Sequence, residues 1–102
     1  MGWLVVLFDL PVDTAEHRRA YTDFHGFLQD DGFSRMQYSV YTRHCPTREH
    51  SEVHAQRVRR RLPHDGEVRI LRLTEAQFAR MEIFRGKSRR RPAEGPGQLT
   101  FF

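Results

Sequence analysis

Trp3-Leu4-Val5-Val6-Leu7-Phe8, followed at once by Asp9-Leu10-Pro11, is the stretch on which the fold turns. Six apolar residues in a row, rich in β-branched and aromatic types, leave no polar side to face water, so the segment predicts a central strand covered on both faces and not an edge. Pro11 ends it, because proline has no N–H for the ladder and restricts the residue before it. A carboxylate at the carboxyl end of a buried strand is placed where α/β sheets often hold their ligands. An Asp there can equally be a turn former that bonds the backbone two residues on, so Asp9 carries two open readings.

Beyond Pro11 the pattern changes period. Asp13, with Glu16 three residues later, predicts a capped helix start. Ala20, Tyr21, Phe24, Phe27 and Leu28 recur at helical spacing, and Gly32 suits the left-handed residue that closes such a helix. Phe33 to Arg43 reads as a strand that bends or breaks midway, with Met36, Tyr38 and Val40 alternating against Gln37, Ser39 and Tyr41. Thr47 predicts the cap of a second helix reaching Leu62, with Ala55, Val58 and Leu62 inward. Val68 to Leu73 predicts a third strand, Thr74 to Arg80 a short helical turn, and Met81 to Arg85 a fourth strand. The expected organisation is one domain over 1–86, a basic Pro- and Gly-rich linker over 87–97, and a terminal strand over 98–102. An apolar Leu99-Thr100-Phe101-Phe102 needs an edge to pair with.

A chain of 102 residues is too short to divide into two cores. Its hydrophobic fraction of 38% against 29% charged suits a folded domain and not a disordered one. The single Cys45 excludes an internal disulfide and a four-thiolate zinc site, which favours a reducing compartment. The first apolar stretch is too short for a signal core or a membrane span, so a cytoplasmic protein without membrane contact is expected.

Seventeen Lys and Arg against thirteen Asp and Glu leave a net charge of +4, which points to a polyanionic partner or to a merely basic surface. The arginines are grouped: Arg57, Arg59, Arg60 and Arg61 form one block, and Arg85 to Arg91 another. Arg18, Arg19, Arg35 and Arg43 are scattered elsewhere. Such groups neutralise backbone phosphates without reading bases. A solvated helix face with a basic tail is the alternative. His44, Cys45, His50 and His54 invite a zinc reading, but their spacing matches no common zinc pattern. No basic group is placed by sequence to activate Cys45 as a nucleophile.

Trp-Leu-Val-Val-Leu-Phe-Asp-Leu-Pro at 3–11 and Gly-Phe-Ser-Arg-Met-Gln-Tyr-Ser-Val-Tyr-Thr-Arg at 32–43 resemble the two signature segments of the CRISPR-associated protein two family. Arg43-His44-Cys45-Pro46 and the ending Gln-Leu-Thr-Phe-Phe resemble the variant that accompanies single-effector CRISPR systems. The resemblance implies an α+β, ferredoxin-like sandwich: an antiparallel sheet with two helices on one face, dimerising through the other, its last strand completing the partner's sheet. It implies that Asp9 is the catalytic and metal-binding residue, with Mg²⁺ or another divalent cation as cofactor. Arg18, Arg19, Arg35, Gln37, Ser39, Arg43, Arg57, Arg60 and Arg61 are the expected nucleic-acid contacts.

The implied role is spacer acquisition in antiviral defence. The partners are a second copy, the CRISPR integrase in two flanking dimers, double-stranded DNA and, for an endoribonuclease, single-stranded RNA. Metal-dependent phosphodiesterase activity on RNA or DNA accompanies that role. A non-catalytic DNA-bracing scaffold and a stand-alone toxin-like RNA interferase are the alternatives.

Overall fold

The unbroken apolar run becomes the centre of the sheet. In the computed structural model, which describes residues 2–86, it forms β1 (Gly2–Asp9). After it come α1 (Ala15–Asp30), β2 (Ser34–Gln37), β3 (Val40–Cys45), α2 (Arg48–Arg59), β4 (Glu67–Thr74) and α3 (Glu75–Ala79). β1 pairs antiparallel with β3 on one side and β4 on the other, giving the order β2-β3-β1-β4. One helix follows β1 and another follows β3, which is the ferredoxin-like arrangement. The linker expected over 87–97 and the strand expected over 98–102 lie outside the described residues. No helix among the described residues is long and apolar enough to cross a membrane.

Alternation along β1 divides its side chains between two faces. Leu4, Val6 and Phe8 join Phe24 and Leu28 of α1, Tyr41 and Cys45 of β3, and Ala55 and Val58 of α2 in one buried cluster, so both long helices cover the same face. Trp3, Val5 and Leu7 take the opposite face with Leu71 and Leu73 of β4. Among the described residues α3 covers one end of that face, where Phe78 stacks on Trp3 with ring centroids 4.1 Å apart. Further along, Leu71 is 47% exposed between Leu73 and Arg69 on the same face.

Several local expectations are corrected. Thr14, not Asp13, caps α1: its hydroxyl accepts from the His17 N–H at 3.0 Å, while the Asp13 carboxylate turns to the His17 ring. The break expected midway along 33–43 is a full reversal that makes a hairpin of β2 and β3. A bulge between Arg35 and Gln37 inserts Met36, and the chain reverses through Tyr38-Ser39. The bulge shifts the alternation, so Tyr41 is fully buried while Met36 and Tyr38 face outward. α2 stops at Arg59, before Pro63, and leaves Leu62 49% exposed. Met81 to Arg85 joins no sheet, and Ile83 and Phe84 are 63% and 83% exposed.

Gly32 closes α1 as its sequence position suggests. At φ +90 it carries the chain through a left-handed turn in which Gly32 N–H donates to Gln29 and Phe33 N–H to Leu28. Asp31 lies just before it.

A polar strap ties the start of α1 to the turn before β4. His17 lies 2.6 Å from Asp13 through Nδ1 and 3.0 Å from Asp65 through Nε2. Hydrogen bonds that the His17 ring donates to the two carboxylates raise its pKa, and the same contacts hold Asp13 and Asp65 below the ordinary carboxylate value. The histidine's contribution is full below its unfolded pKa of about 6.5 and is lost as pH rises through the raised folded value. The carboxylates' contribution is present above about pH 4 and fades below it. The melting temperature of the wild type should therefore exceed that of His17→Gln most at mildly acidic pH. That gap should close as the solution turns alkaline. A gap independent of pH would show that the strap does not titrate.

Candidate active site

Asp9 is the last residue of β1 and falls on the face that α1 and α2 leave uncovered, in line with Trp3, Val5 and Leu7. It is exposed, and its carboxylate makes no hydrogen bond or ion pair to any described residue. The turn-former reading fails on chemistry: the residue two positions on is Pro11, which has no N–H to donate. Gly66 fixes the backbone here. At φ +94 it passes so close to β1 that a Cβ would lie 2.7 Å from the Asp9 carbonyl oxygen. Glu67 is the register partner of Asp9 across the ladder, a like-charge pair on one face. Arg69, two residues along the same face, offsets it by donating to Glu67 at 3.0 Å. Glu67 and Arg69 were legible only as a period-two pair, whose position opposite Asp9 depends on register.

Beside Asp9 a hollow of about 310 Å³ opens between α1 and the β2–β3 turn, with Arg18, Tyr21, Tyr38 and Ser39 among its walls. The Ser39 carbonyl accepts from the Phe8 N–H at 3.1 Å, which locks the turn against the end of β1. Arg18 donates to the Val12 carbonyl at 3.2 Å, leaving guanidinium N–H groups for another acceptor. Behind the turn, Arg35 donates to the Tyr41 hydroxyl at 3.1 Å and lies 5.1 Å from the Tyr38 ring centroid. His25 also hydrogen-bonds the Tyr41 hydroxyl. The bond to Tyr41 is the main cause raising the Arg35 pKa, so the guanidinium stays charged behind the turn.

The structure thus brings Asp9, Arg18 and Ser39 together, with Arg35 immediately behind. Gln37 is exposed at the end of β2. Arg19 and Arg60 make no side-chain hydrogen bond or ion pair with any described residue. Arg61 lies over the Phe27 ring at 4.7 Å on the helical side. Arg43 and Arg57 have internal duties: Arg43 donates to the Gly32 carbonyl at 3.2 Å, and Arg57 pairs with Asp31 at 2.8 Å.

The four zinc-type residues are engaged separately. His44 bonds Glu75, Cys45 is buried with its thiol toward the Arg43 carbonyl, His50 approaches Arg43, and His54 bonds Asp31. Burial pushes the Cys45 thiol pKa up, which opposes a thiolate nucleophile. Among the described residues no group of three His, Cys, Asp or Glu is arranged to hold a metal ion. What one chain offers is a single unpaired carboxylate beside a basic, partly apolar hollow. That donor set fits a hard, well-hydrated cation such as Mg²⁺, which is held by one or two carboxylates together with water and phosphate oxygen.

Comparison with known proteins agrees with this architecture. The family described as CRISPR associated protein Cas2 matches residues 1–81. A CRISPR-associated endoribonuclease Cas2 of Parvibaculum lavamentivorans is 46% identical over 100 residues, covering 98% of this chain and 99% of that protein. Its counterpart in Flavobacterium psychrophilum is 41% identical over 100 residues, covering 98% of this chain and 87% of that protein. One from Streptococcus mutans is 35% identical over 98 residues, covering 96% and 92%.

Proposed function

Since the chain belongs to the CRISPR-associated protein Cas2 family, we propose that it is a divalent-cation-dependent endoribonuclease that works as a homodimer in CRISPR adaptive defence. The observation that carries this reading is Asp9: an exposed carboxylate, without a partner among the described residues, at the end of the central strand on the uncovered face. The bland role for it, a turn bond to residue 11, is chemically unavailable. The relatives' name as endoribonucleases supports RNA as the substrate.

Two copies meeting through the face of Leu7 and Leu71 would bury apolar surface that water now touches and bring two Asp9 carboxylates to one seam. Their repulsion makes the seam a place for a cation. Asp9 would hold Mg²⁺, which when bound lowers the pKa of a water and stabilises charge on the scissile phosphate. Arg18, anchored by the Val12 carbonyl, is placed to bind a neighbouring phosphate. Arg35 adds positive potential from behind Tyr38.

Purified protein with single-stranded RNA should cleave in Mg²⁺, stop in EDTA, recover when Mg²⁺ is restored, and sediment as a dimer throughout. Cleavage that persists in EDTA, or a monomer with full activity, would overturn the proposal.

A second role rests on Arg19 and Arg60, which are exposed and make no internal ion pair among the described residues. They suit sequence-independent clamping of duplex DNA together with the CRISPR integrase during spacer acquisition. That role does not require Asp9.

A further inference from the structure

We propose that the hollow between α1 and the β2–β3 turn is a subsite for one unpaired nucleobase of a single-stranded RNA, with the Tyr38 ring as its stacking platform. This inference rests on the endoribonuclease reading and gives one base of its single-stranded substrate a place on the protein. The hollow measures about 310 Å³ and opens directly beside Asp9. Its walls combine apolar surface from Leu10 and Val12, the rings of Tyr21 and Tyr38, and the cationic Arg18.

Two of these residues are too exposed for their size and type. Val12 is 48% exposed and Tyr38 42%, although both line a recess that a flat ring would cover. The Tyr38 ring is held in place and not loosely displayed. Arg35 lies 5.1 Å from its centroid, Tyr21 packs at 6.4 Å, and Arg35 itself is fixed by the buried Tyr41. An aromatic platform fixed in advance, with cations next to it, is the chemistry by which proteins hold single strands: bases stack on rings while Arg meets the backbone. A duplex cannot use such a recess, because its bases are already stacked on one another. A base seated on Tyr38 would bring its strand past Arg18 and Asp9, which share the same recess, so the subsite would also set which phosphate reaches the carboxylate.

The experiment uses the full chain in EDTA, where binding is read without cleavage, and a single-stranded RNA carrying one 2-aminopurine. Wild type and Tyr38→Phe should bind and quench the probe through stacking. Tyr38→Ala should lose the quench and bind about ten-fold more weakly or worse. Thr22→Leu, which narrows the recess from the surface of α1 without offering a ring to stack on, should do the same and guards against a folding defect in the alanine variant. A duplex of the same sequence should bind all four proteins alike.

Unaltered quenching in both Tyr38→Ala and Thr22→Leu would overturn the subsite, as would an equal loss on duplex. Because the readout is binding, a protein that stacks the probe but never cuts RNA would uphold the subsite and refute only the nuclease.

Discussion

Asp9→Ala is expected to reduce Mg²⁺-dependent cleavage of single-stranded RNA by about 10²–10³-fold, because the cation that would support charge on the scissile phosphate loses its ligand. Folding should be nearly untouched. The carboxylate is exposed and bonds no described residue, so its removal should move the melting temperature by no more than about 3 °C in either direction. In a dimer it could even help, since two facing carboxylates repel when no cation lies between them. Asp9→Asn keeps the shape and removes the charge. It should be as inactive as the alanine variant, whereas a purely steric role for Asp9 would leave it active. Sedimentation should show both variants still dimeric. Full cleavage by a rigorously purified Asp9→Ala protein would end the catalytic assignment. Spacer acquisition in cells gives a separate readout. If the chain only braces DNA through Arg19 and Arg60, acquisition persists in Asp9→Ala while cleavage disappears.

The elements most legible in the sequence were those fixed by local chemistry. An apolar hexapeptide stopped by Asp-Leu-Pro has few alternatives to a central strand, and β1 pairs on both sides. Gly32 sits where a helix end needs a residue without a Cβ and Thr47 where a helix start needs a hydroxyl, and both serve there. The failures occur where two local signals compete or where pairing decides. Asp13 and Thr14 are both good caps, and the choice between them was made by His17, which draws the Asp13 carboxylate away. The segment 33–43 alternates well enough for one strand, but a one-residue bulge at Met36 reverses which aromatic is buried. Met81 to Arg85 has strand-like residues without a ladder, and propensity says nothing about an available edge.

The site was half legible. Asp9 stood out from its position in the chain. Arg43 and Arg57 also have internal partners, a carbonyl and a carboxylate that charge counting cannot see. Glu67 and the Tyr38 recess depend on register and on the hairpin turn, which emerge only once strands are paired.

Asp31 is the residue whose weight the sequence hid most completely, and Asp31→Ala is expected to destabilise the domain by about 3 kcal/mol. The C-cap of α1 delivers its carboxylate to the flank of α2, where one oxygen lies 2.6 Å from His54 Nδ1 and the other 2.8 Å from Arg57. Both His54 and Asp31 have side chains under 10% exposed, so removing one strands the other without water. Arg57 is about half exposed and can turn to solvent, so the loss centres on the histidine. For a domain of this size the change should lower the melting temperature by roughly 12–24 °C.

Asp31→Asn separates charge from shape. Burial works against the charged carboxyl, but the hydrogen bonds from His54 and Arg57 outweigh it and hold the Asp31 pKa below the ordinary carboxylate value. The sign follows: this stabilisation is present above the unfolded pKa of about 3.9 and is lost as pH falls through the lower folded value. His50, whose ring lies 4.7 Å from that of His54, adds little opposing charge, because burial together with His54 and Arg43 lowers its pKa. Wild type and Asp31→Asn should thus differ most near neutral pH and converge below about pH 3. Replacing both partners, as in Asp31→Leu with His54→Leu, should recover much of the loss, since an apolar pair leaves no buried group unsatisfied. Denaturant unfolding of the four proteins tests the account. A penalty for Asp31→Ala below about 1 kcal/mol, or a double variant no better than the single one, would show that the C-cap of α1 and the flank of α2 are held together by their apolar contacts alone.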